Sequence, residues 1–469
     1  MSKILFTLKR LLPDKLMQLL LPAYHFTLSY LAAVFYRFPS EKIIVIGVTG
    51  TTGKTTSTYL IQKMLEGAGF KCGYTSTAMF SDGDREWLND KKMTMPGRFQ
   101  IQKILSQMVK NDCQYAVVET TSEGIRQFRH RFINYDTLIF TGLYPEHIES
   151  HGSFENYKAA KGELFRHLKK CKTKYCNADK LVVTQASGIK KLDLTRVKKR
   201  IIANIDDDNA GYFLDFWAEE KLGYSKNKLV YKDTPIWYYD EINSSQQGTS
   251  FKVGQNRFNL NILGEFNATN AMNAIGLGLA EGLGIDKIRV GLEKIDGVPG
   301  RLERINEGQD FTVIVDYAFE PNAVGKLYDT VDKIAHNNII HLLGATGGGR
   351  DASRRPLIGK IAGERANVVI VTNEDPYDED PEIIMDQVML GAEKGGKKNQ
   401  ENLFKILDRR EAIAKAISLA GSGDIVLITG KGSEQAICLA NGVKQPWDDR
   451  MVVREEISRI KTYINSQNI

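Results

Sequence analysis

The stretch Gly47-Val48-Thr49-Gly50-Thr51-Thr52-Gly53-Lys54-Thr55-Thr56 combines small residues that leave backbone amides accessible with one cation and several hydroxyls. A polyphosphate needs those three things. The closing Gly-Lys-Thr matches the end of the phosphate-loop pattern GxxxxGKT, although five residues rather than four separate Gly47 from Gly53. On that pattern the amides of Gly50, Thr51, Thr52 and Gly53 face phosphate oxygens, Lys54 reaches the terminal phosphates, the Thr55 hydroxyl ligates magnesium, and Thr56 leads into a helix. ATP with Mg2+ is the expected ligand pair. Glu119 closes the apolar run Tyr115-Ala-Val-Val-Glu119. Open parallel sheets bind ligands at that end of a strand, so Glu119 is either a magnesium ligand or a strand-end cap. His147 and His151 are four apart, but Gly152 indicates a loop, and the local sequence lacks the further ligands a zinc site needs. Oxygen-held magnesium with one imidazole fits better. Asn204, Asp206 and Asp208 are open to two readings, an acidic ligand group or a structural strand end. The loop from Gly344 to Gly349 is glycine-rich but no Lys-Thr closes it, so a second ATP site is not expected.

Positioning these groups requires a strand before the loop and a helix after it. Glu41 to Val48, EKIIVIGV, reads as a buried strand and Thr58 to Gly67 as a helix. Leu181 to Thr184 and Arg200 to Asp208 read as further strands, and Leu229 to Leu263 as antiparallel strands joined to the same sheet. An apolar helix begins at Asn267. Gly297-Val-Pro-Gly300-Arg301 reads as a hinge. Beyond it VIVDYA, IIHLLGA, NVVIVT and DIVLITG alternate with helical segments, the pattern of a doubly wound unit. The expected fold class is α/β: a central P-loop ATPase-like domain with a mostly parallel sheet over residues 41–300, a C-terminal Rossmann-like domain over 301–469, and a hydrophobic helical segment over 1–40. Composition agrees, since 469 residues with 42% hydrophobic, 26% charged, 41 Gly and 12 Pro suit a multidomain enzyme. A net charge of +6 is small for this length and no nucleic-acid signature. Five cysteines form no framework, which points to a reducing compartment. The uncharged run LMQLLLPAYHFTLSYLAAVFY, preceded by Lys3, Lys9, Arg10 and Lys15, has three readings: a membrane contact, a helix packed on the protein or a partner, or a cleaved signal.

GVTGTTGKTT, VVETTSEG, TGLYPEHIESHG, YKAAKGELF, LGEFNATNAMNAI, VPGRLERI, VDYAFEPNA, GGGRDASRRP and GKGSEQ occur in that order, and together they resemble the Mur ligase superfamily of peptidoglycan synthesis. The resemblance runs from about Glu41 to about Ile460 and is closest to the branch that adds a diamino acid to the muramoyl dipeptide. It implies ATP-dependent amide formation through an acyl phosphate. It also implies phosphate and first-magnesium roles for Lys54 and Thr55, second-magnesium ligands Glu119 and His147, and a carbamylated lysine at Lys161. Asn267 and Asn270 would lie near the adenine, with Arg301, Asp316 and Tyr317 reaching ATP from the hinge and the third domain. The acceptor and amino acid would be held among Thr121, Ser122, His151, Arg350, Arg355, Glu374, Asp375, Tyr377, Gly430 and Glu434.

Several positions depart from the branch. Thr121-Ser122-Glu123 stands for Ser-Ser-His, Phe319-Glu320 for His-Thr, and Ser433 for a histidine. Where relatives carry Asp-Asn-Pro-Arg to grip a diaminopimelate carboxylate, this chain has Glu374-Asp375-Pro376-Tyr377, so the bidentate guanidinium is gone. The acidic turn that replaces it suits a distal ammonium such as that of L-lysine, or is simply exposed. Only 40 residues precede the first strand, where relatives hold a uridine diphosphate sugar in a further domain, so a lipid-linked muropeptide or another carboxylate acceptor is a second expectation. Folate-type glutamate ligases share the same nucleotide machinery. A membrane-associated nucleotide-binding regulator without ligase activity is the alternative from another class. The expected location is cytoplasmic, with a peripheral contact at the inner membrane face as the variant.

Overall fold

The computed structural model describes residues 14–145, 151–184 and 193–467. Helix α1 (Asp14–Phe35) opens it. The central unit then runs β1 (Ile44–Thr49), α2 (Lys54–Gly67), β2 (Cys72–Thr75), β3 (Met79–Ser81), β4 (Glu86–Leu88), α3 (Arg98–Lys110), β5 (Tyr115–Glu119), α4 (Ser122–Arg126), β6 (Thr137–Phe140) and α5 (Phe154–Leu168). It continues through a small hairpin, β7 (Lys174–Cys176) with β8 (Thr195–Val197), to β9 (Arg200–Asn204), α6 (Ala210–Leu214), β10 (Glu220–Ser225), β11 (Ile236–Ser245), β12 (Gly248–Val253), β13 (Asn256–Leu260), α7 (Phe266–Ala280) and α8 (Ile285–Glu293). Eleven of its thirteen described strands form one sheet in the order β13-β12-β11-β10-β9-β6-β1-β5-β2-β3-β4. Pairing is parallel from β11 to β2 and antiparallel at both edges. β1 is buried at every residue, as a central strand covered on both faces must be. Side chains alternate across it: Ile44, Ile46 and Val48 meet Leu60, Met64, Ala271 and Ile275 of α2 and α7. Val45, on the other face, meets Leu105 and Met108 of α3 and Phe165 of α5. The expected antiparallel region is present as β11 to β13, whereas Leu181 to Thr184 makes only a single bridge, Val182 to Cys176.

A buried ionic cluster clamps the ends of β1, β6 and β9 remote from the phosphate loop. Asp136, fully buried, accepts from Val45 N at 2.8 Å, Lys174 Nζ at 2.5 Å and Lys199 Nζ at 2.7 Å. The two ammoniums also donate to the carbonyls of Ile43, Asn134 and Tyr135.

α1 lies along α3 and the turn before β6. Arg98 Nη2 is 2.6 Å from His25 Nδ1, Ser29 Oγ donates to Phe128 O at 2.9 Å, and the rings of Phe26 and Tyr30 stand against Phe132. Of the three readings of the hydrophobic start, the described part shows a helix packed on the protein, with Leu20, Leu31, Val34 and Phe35 exposed on its outer side. Among the described residues no helix is long and apolar enough to cross a membrane.

The second unit carries β14 (Glu303–Ile305), β15 (Thr312–Val315), α9 (Pro321–Val331), β16 (Ile339–Leu343), α10 (Arg354–Arg365), β17 (Val368–Thr372), α11 (Pro381–Lys394), β18 (Leu403–Ile406), α12 (Arg409–Leu419), β19 (Ile425–Ile428), the hairpin β20 (Ala436–Cys438) with β21 (Lys444–Pro446), and α13 (Asp449–Gln467). Its sheet order is β14-β15-β19-β16-β17-β18, parallel except at β14. Leu327, Ile358 and Val388 of α9, α10 and α11 fill one face, and Ile413 and Val453 of α12 and α13 the other. The expected doubly wound architecture is therefore present. The crossovers place the ends of β15, β16, β17 and β19 together, and the candidate site uses the loops that leave them.

Candidate active site

The chain leaves β1 at Thr49 and enters α2 through Gly53, whose φ of +77° is left-handed and suits glycine. A side chain at Gly53 would also strike Asn270, because an added Cβ would lie 2.3 Å from its Oδ1. Asn270 is held in turn by Asn267, which accepts from its Nδ2 at 2.8 Å and donates to Leu263 O. The asparagine pair thus reaches the phosphate loop from α7. Lys54 Nζ folds back to Thr51 O at 2.6 Å, Thr141 Oγ1 donates to Thr52 O at 2.7 Å, and Thr56 is buried at the helix start.

α5 approaches the same loop from the other side. Ser153 caps this helix by accepting from Asn156 N, which brings Tyr157 and Lys161, one turn apart, onto the loop-facing side. Tyr157 OH is 3.1 Å from Thr51 Oγ1, and Lys161 Nζ donates to Gly50 O at 2.8 Å while lying 4.7 Å from the Tyr157 ring centre. Lys161 is 1% exposed, so it is no solvated helix lysine.

Glu119 is fully buried at the end of β5. Thr55 Oγ1 donates to its carboxylate at 3.0 and 3.1 Å, and Thr77 donates through its amide at 2.8 Å and its hydroxyl at 3.1 Å. Two hard oxygen donors from the phosphate loop and the strand end meet here, a donor set that fits Mg2+ better than zinc. His147 lies outside the described residues. His151 Nε2 sits 3.1 Å from Ser122 Oγ, and burial lowers its pKa, favouring the neutral ring. Thr121 accepts from Gly124 N at 3.1 Å as the cap of α4, a bond that leaves the hydroxyl proton to donate elsewhere.

In the second unit the Arg301 guanidinium lies 4.2 Å from the Tyr317 ring centre, and Asp316 accepts from Leu302 N and Ala318 N, both at 2.7 Å. Burial pushes the Asp316 carboxyl upward against the pull of Arg301. Tyr317 OH donates to Glu434 Oε1 at 3.4 Å. Asp375 accepts from Lys431 Nζ at 2.9 Å and Cys438 N at 2.7 Å, and Lys431 also donates to Glu434 at 2.8 Å. Glu374, 3% exposed, accepts from Thr346 Oγ1 at 2.8 Å; burial raises its pKa, with Asp375 adding to the rise. Gly430, at φ +100°, leaves room for Glu374, since an added Cβ would lie 2.2 Å from Glu374 Oε2. Tyr377, at φ +53°, donates its amide to Cys438 O, in the strand that supplies the Cys438 amide to Asp375. Gly300, at φ +64°, rests on the same turn: an added Cβ would lie 2.1 Å from Ser433 N.

The expected residues therefore fall into two groups. Gly50 to Thr56, Glu119, Lys161, Asn267 and Asn270 gather at the phosphate loop, and Arg301, Tyr317, Glu374, Asp375, Gly430 and Glu434 gather at the ends of the second sheet. Arg350 is exposed, and Arg355 is engaged by Gln387, Thr346 O and Glu379. The acidic turn is also less exposed than one expectation held: Asp375 is 4% exposed. Sequence reasoning missed Thr77, Lys92, Thr94 and Lys431. Thr94 Oγ1 lies 2.7 Å from Thr77 Oγ1, and Lys92 crosses to Asp375, so the segment between β4 and α3 links the two groups. Lys431 was visible in Gly430-Lys431-Gly432-Ser433-Glu434, where a lysine three residues before a glutamate shares its turn. Nothing local marked the others.

The description "Mur ligase middle domain" fits residues 48–197 and "Mur ligase, glutamate ligase domain" fits residues 300–432. A UDP-N-acetylmuramyl-tripeptide synthetase of Roseiflexus sp. (strain RS-1) is 35% identical over 441 residues, 92% of this chain and 82% of that protein. A UDP-N-acetylmuramoyl-L-alanyl-D-glutamate--2,6-diaminopimelate ligase of Syntrophomonas wolfei is 33% identical over 435 residues, 91% of this chain and 81% of that protein. A solved structure of a ligase with the same descriptive name superposes with a TM-score of 0.57 at 27% identity, over 90% of this chain and 79% of that one. The chain belongs to the Mur ligase superfamily of ATP-dependent acid–amino-acid ligases, in the branch of the diaminopimelate ligases it resembles.

Proposed function

We propose that this ligase joins an amino acid to the terminal carboxylate of a glutamate-ended muropeptide, converting ATP to ADP and phosphate. The observation that carries the reading is the Thr55–Glu119–Thr77–Thr94 chain of hydrogen bonds, which ties the phosphate loop to the segment that crosses to Asp375 and Glu434. Residues 41–300 hold the nucleotide and residues 301–469 supply the amino-acid side. An oxygen of the acceptor carboxylate attacks the γ-phosphorus, the bond from γ-phosphorus to the bridging oxygen breaks, and ADP leaves. The amine then attacks the acyl carbon, phosphate departs, and the nitrogen gives up a proton. The loop amides and Lys54 hold and neutralise phosphate oxygens, and Asn267 and Asn270 bound the nucleotide side of the loop. Thr55 and Glu119 would hold Mg2+, which when bound spreads the charge of the transferring phosphoryl group. The apposition of the two units excludes water, which would otherwise hydrolyse the acyl phosphate.

The test incubates the full chain with Mg-ATP, one of three acceptors (nucleotide-linked, lipid-linked or a free muropeptide) and L-lysine, L-ornithine or meso-diaminopimelate, with products read by mass spectrometry. The expected result is one amide product per ADP and phosphate with at least one pairing. ATP binding without turnover for every pairing would sink the ligase reading and leave the nucleotide-binding regulator. Glu119→Gln is expected to lower amide formation at least about a hundredfold, the scale of several kcal/mol of lost charge stabilisation.

A further inference from the structure

Lys92 comes from the central unit, yet its Nζ lies 2.5 Å from Asp375 Oδ2 and 3.0 Å from Glu434 Oε2 of the second unit. Its side chain is 6% exposed. A second bond crosses beside it, from Lys444 Nζ to Lys91 O at 3.4 Å. With Lys431, already bound to both acids, two ammoniums balance two carboxylates. The cluster is neutral only while Lys92 is in place.

We propose that Lys92 is an internal stand-in for the side-chain ammonium of the incoming amino acid, a latch that occupies the Asp375–Glu434 subsite until a diamino acid displaces it. This rests on the proposed function for its assignment of that subsite to the amino acid. What Lys92 presents to the two acids is chemically a lysine ε-ammonium at the end of a four-carbon stem. A free lysine offers the same group, and to take the position that Lys92 Nζ holds 2.5 Å from Asp375 Oδ2 it must displace Lys92. Departure of Lys92 leaves Asp375 and Glu434 with one ammonium, Lys431, beside the neutral donors Cys438 N and Tyr317 OH, so that these groups carry one uncompensated negative charge in a buried place. A buried carboxylate that loses a donor is strongly penalised, so the vacated subsite takes up another ammonium and rejects an isostere without one. The latch comes from the opposite unit, so releasing it also frees one tie between the units. At φ +53° the Lys92 backbone is in a region uncommon for a residue with a Cβ, which fits a segment held by its contact rather than by local preference. The subsite thereby selects for amino acids whose side chain ends in an ammonium, and the selection is set by competition with a resident group.

A self-occupied subsite weakens apparent binding by the fraction of molecules that are open. Calorimetry on the full chain, with L-lysine and L-norleucine as probes, reads that fraction. Lys92→Met, which keeps the stem and removes the charge, is expected to bind L-lysine about tenfold more tightly than the native chain, with no gain for L-norleucine. Lys92→Arg keeps a cation there and is expected to stay within about threefold of the native chain. Lys92→Gln serves as a second neutral variant if Lys92→Met does not fold, and ADP binding checks each protein. Weaker L-lysine binding in both neutral variants would overturn the latch and make Lys92 a positioning cation of the closed complex. An equal gain for L-norleucine, or no L-lysine binding by any variant, would overturn it too. Tighter L-lysine binding without amide formation from any acceptor would uphold the latch and sink the ligase reading; amide formation from meso-diaminopimelate with no change in L-lysine affinity would do the reverse.

Discussion

Lys161→Ala is expected to lower amide formation at least about a thousandfold while leaving most of the ATP affinity in place, on the proposed function. Lys161 is buried against the phosphate loop with its nitrogen 2.8 Å from Gly50 O. An ammonium there adds positive charge where a metal-bound polyphosphate is to sit. A carbamate, formed when the neutral amine attacks carbon dioxide and loses a proton, reverses that sign. It still keeps one N–H, so the bond to Gly50 O survives while two anionic oxygens become available to a cation. Alanine removes both features, but the amides of Gly50 to Gly53 and the Lys54 ammonium remain. Short carboxylic acids added to the alanine variant are expected to restore part of the turnover, and Lys161→Arg is expected to recover none. Native-like turnover in Lys161→Ala, measured as product by mass spectrometry, would remove Lys161 from the chemistry and leave the ligase assignment standing.

The second large effect is on stability. Asp136→Asn is expected to cost about 3–5 kcal/mol at neutral pH, because it strips the only anion from a buried cluster and leaves Lys174 and Lys199 facing each other. Asparagine retains an oxygen for Val45 N, so the deficit reports charge rather than a lost strand contact. Burial pushes Lys174 down to about 8 from its ordinary 10.5, with Asp136 opposing the fall and Lys199 adding to it. A group whose folded pKa is depressed in this way is more protonated in the unfolded chain between those two values. The contribution of Lys174 therefore becomes more favourable to the fold as pH rises from about 8 toward 10.5. Asp136 holds that pKa up, so without it Lys174 gives up its proton at lower pH; the deficit of the variant is accordingly expected to narrow as pH rises to about 8, where the native lysine also titrates, and to change little above it. Denaturant titrations at pH 7 and pH 9.5 measure both; an equal deficit at the two pH values would show that the cluster acts through shape alone.

Much of the architecture was readable because its signals are local. The strand Ile44–Thr49 is apolar as far as Val48, Gly53 and Lys54 sit where a strand must turn into a helix, and four of the six strands of the second sheet, β15, β16, β17 and β19, are apolar runs that alternate with helical segments. Glu119, Asn267 and Lys161 were found through ordered motifs, and the structure places all three near the phosphate loop. What escaped depends on contacts between distant segments. Lys92 sits in Asp90-Lys91-Lys92-Met93, which has no period and no motif, and its partner Asp375 is 283 positions away. Arg355 also has a partner the local sequence did not show: a glycine-rich loop followed by arginines suggests an anion grip, and in the folded chain its guanidinium donates to Glu379. The Asp136 cluster was invisible because its partners are far apart in sequence: Lys174 and Lys199 look like members of solvated basic runs until the hairpin β7–β8 brings them to Asp136 at the strand ends.

Gly300 has a consequence for kinetics. Its α-carbon is pressed onto the main chain of Ser433, in the turn that runs from Lys431 to Glu434, so the linker between the units cannot pivot there without moving that turn. Rotation of the second unit and the shape of its amino-acid subsite are then one coordinate rather than two. A bulky residue at Gly300 would uncouple the timing of the two half-reactions. The interval between activation of the acceptor and arrival of the amine would lengthen, and the activated acceptor would be spent on water, so that phosphate release outruns amide formation.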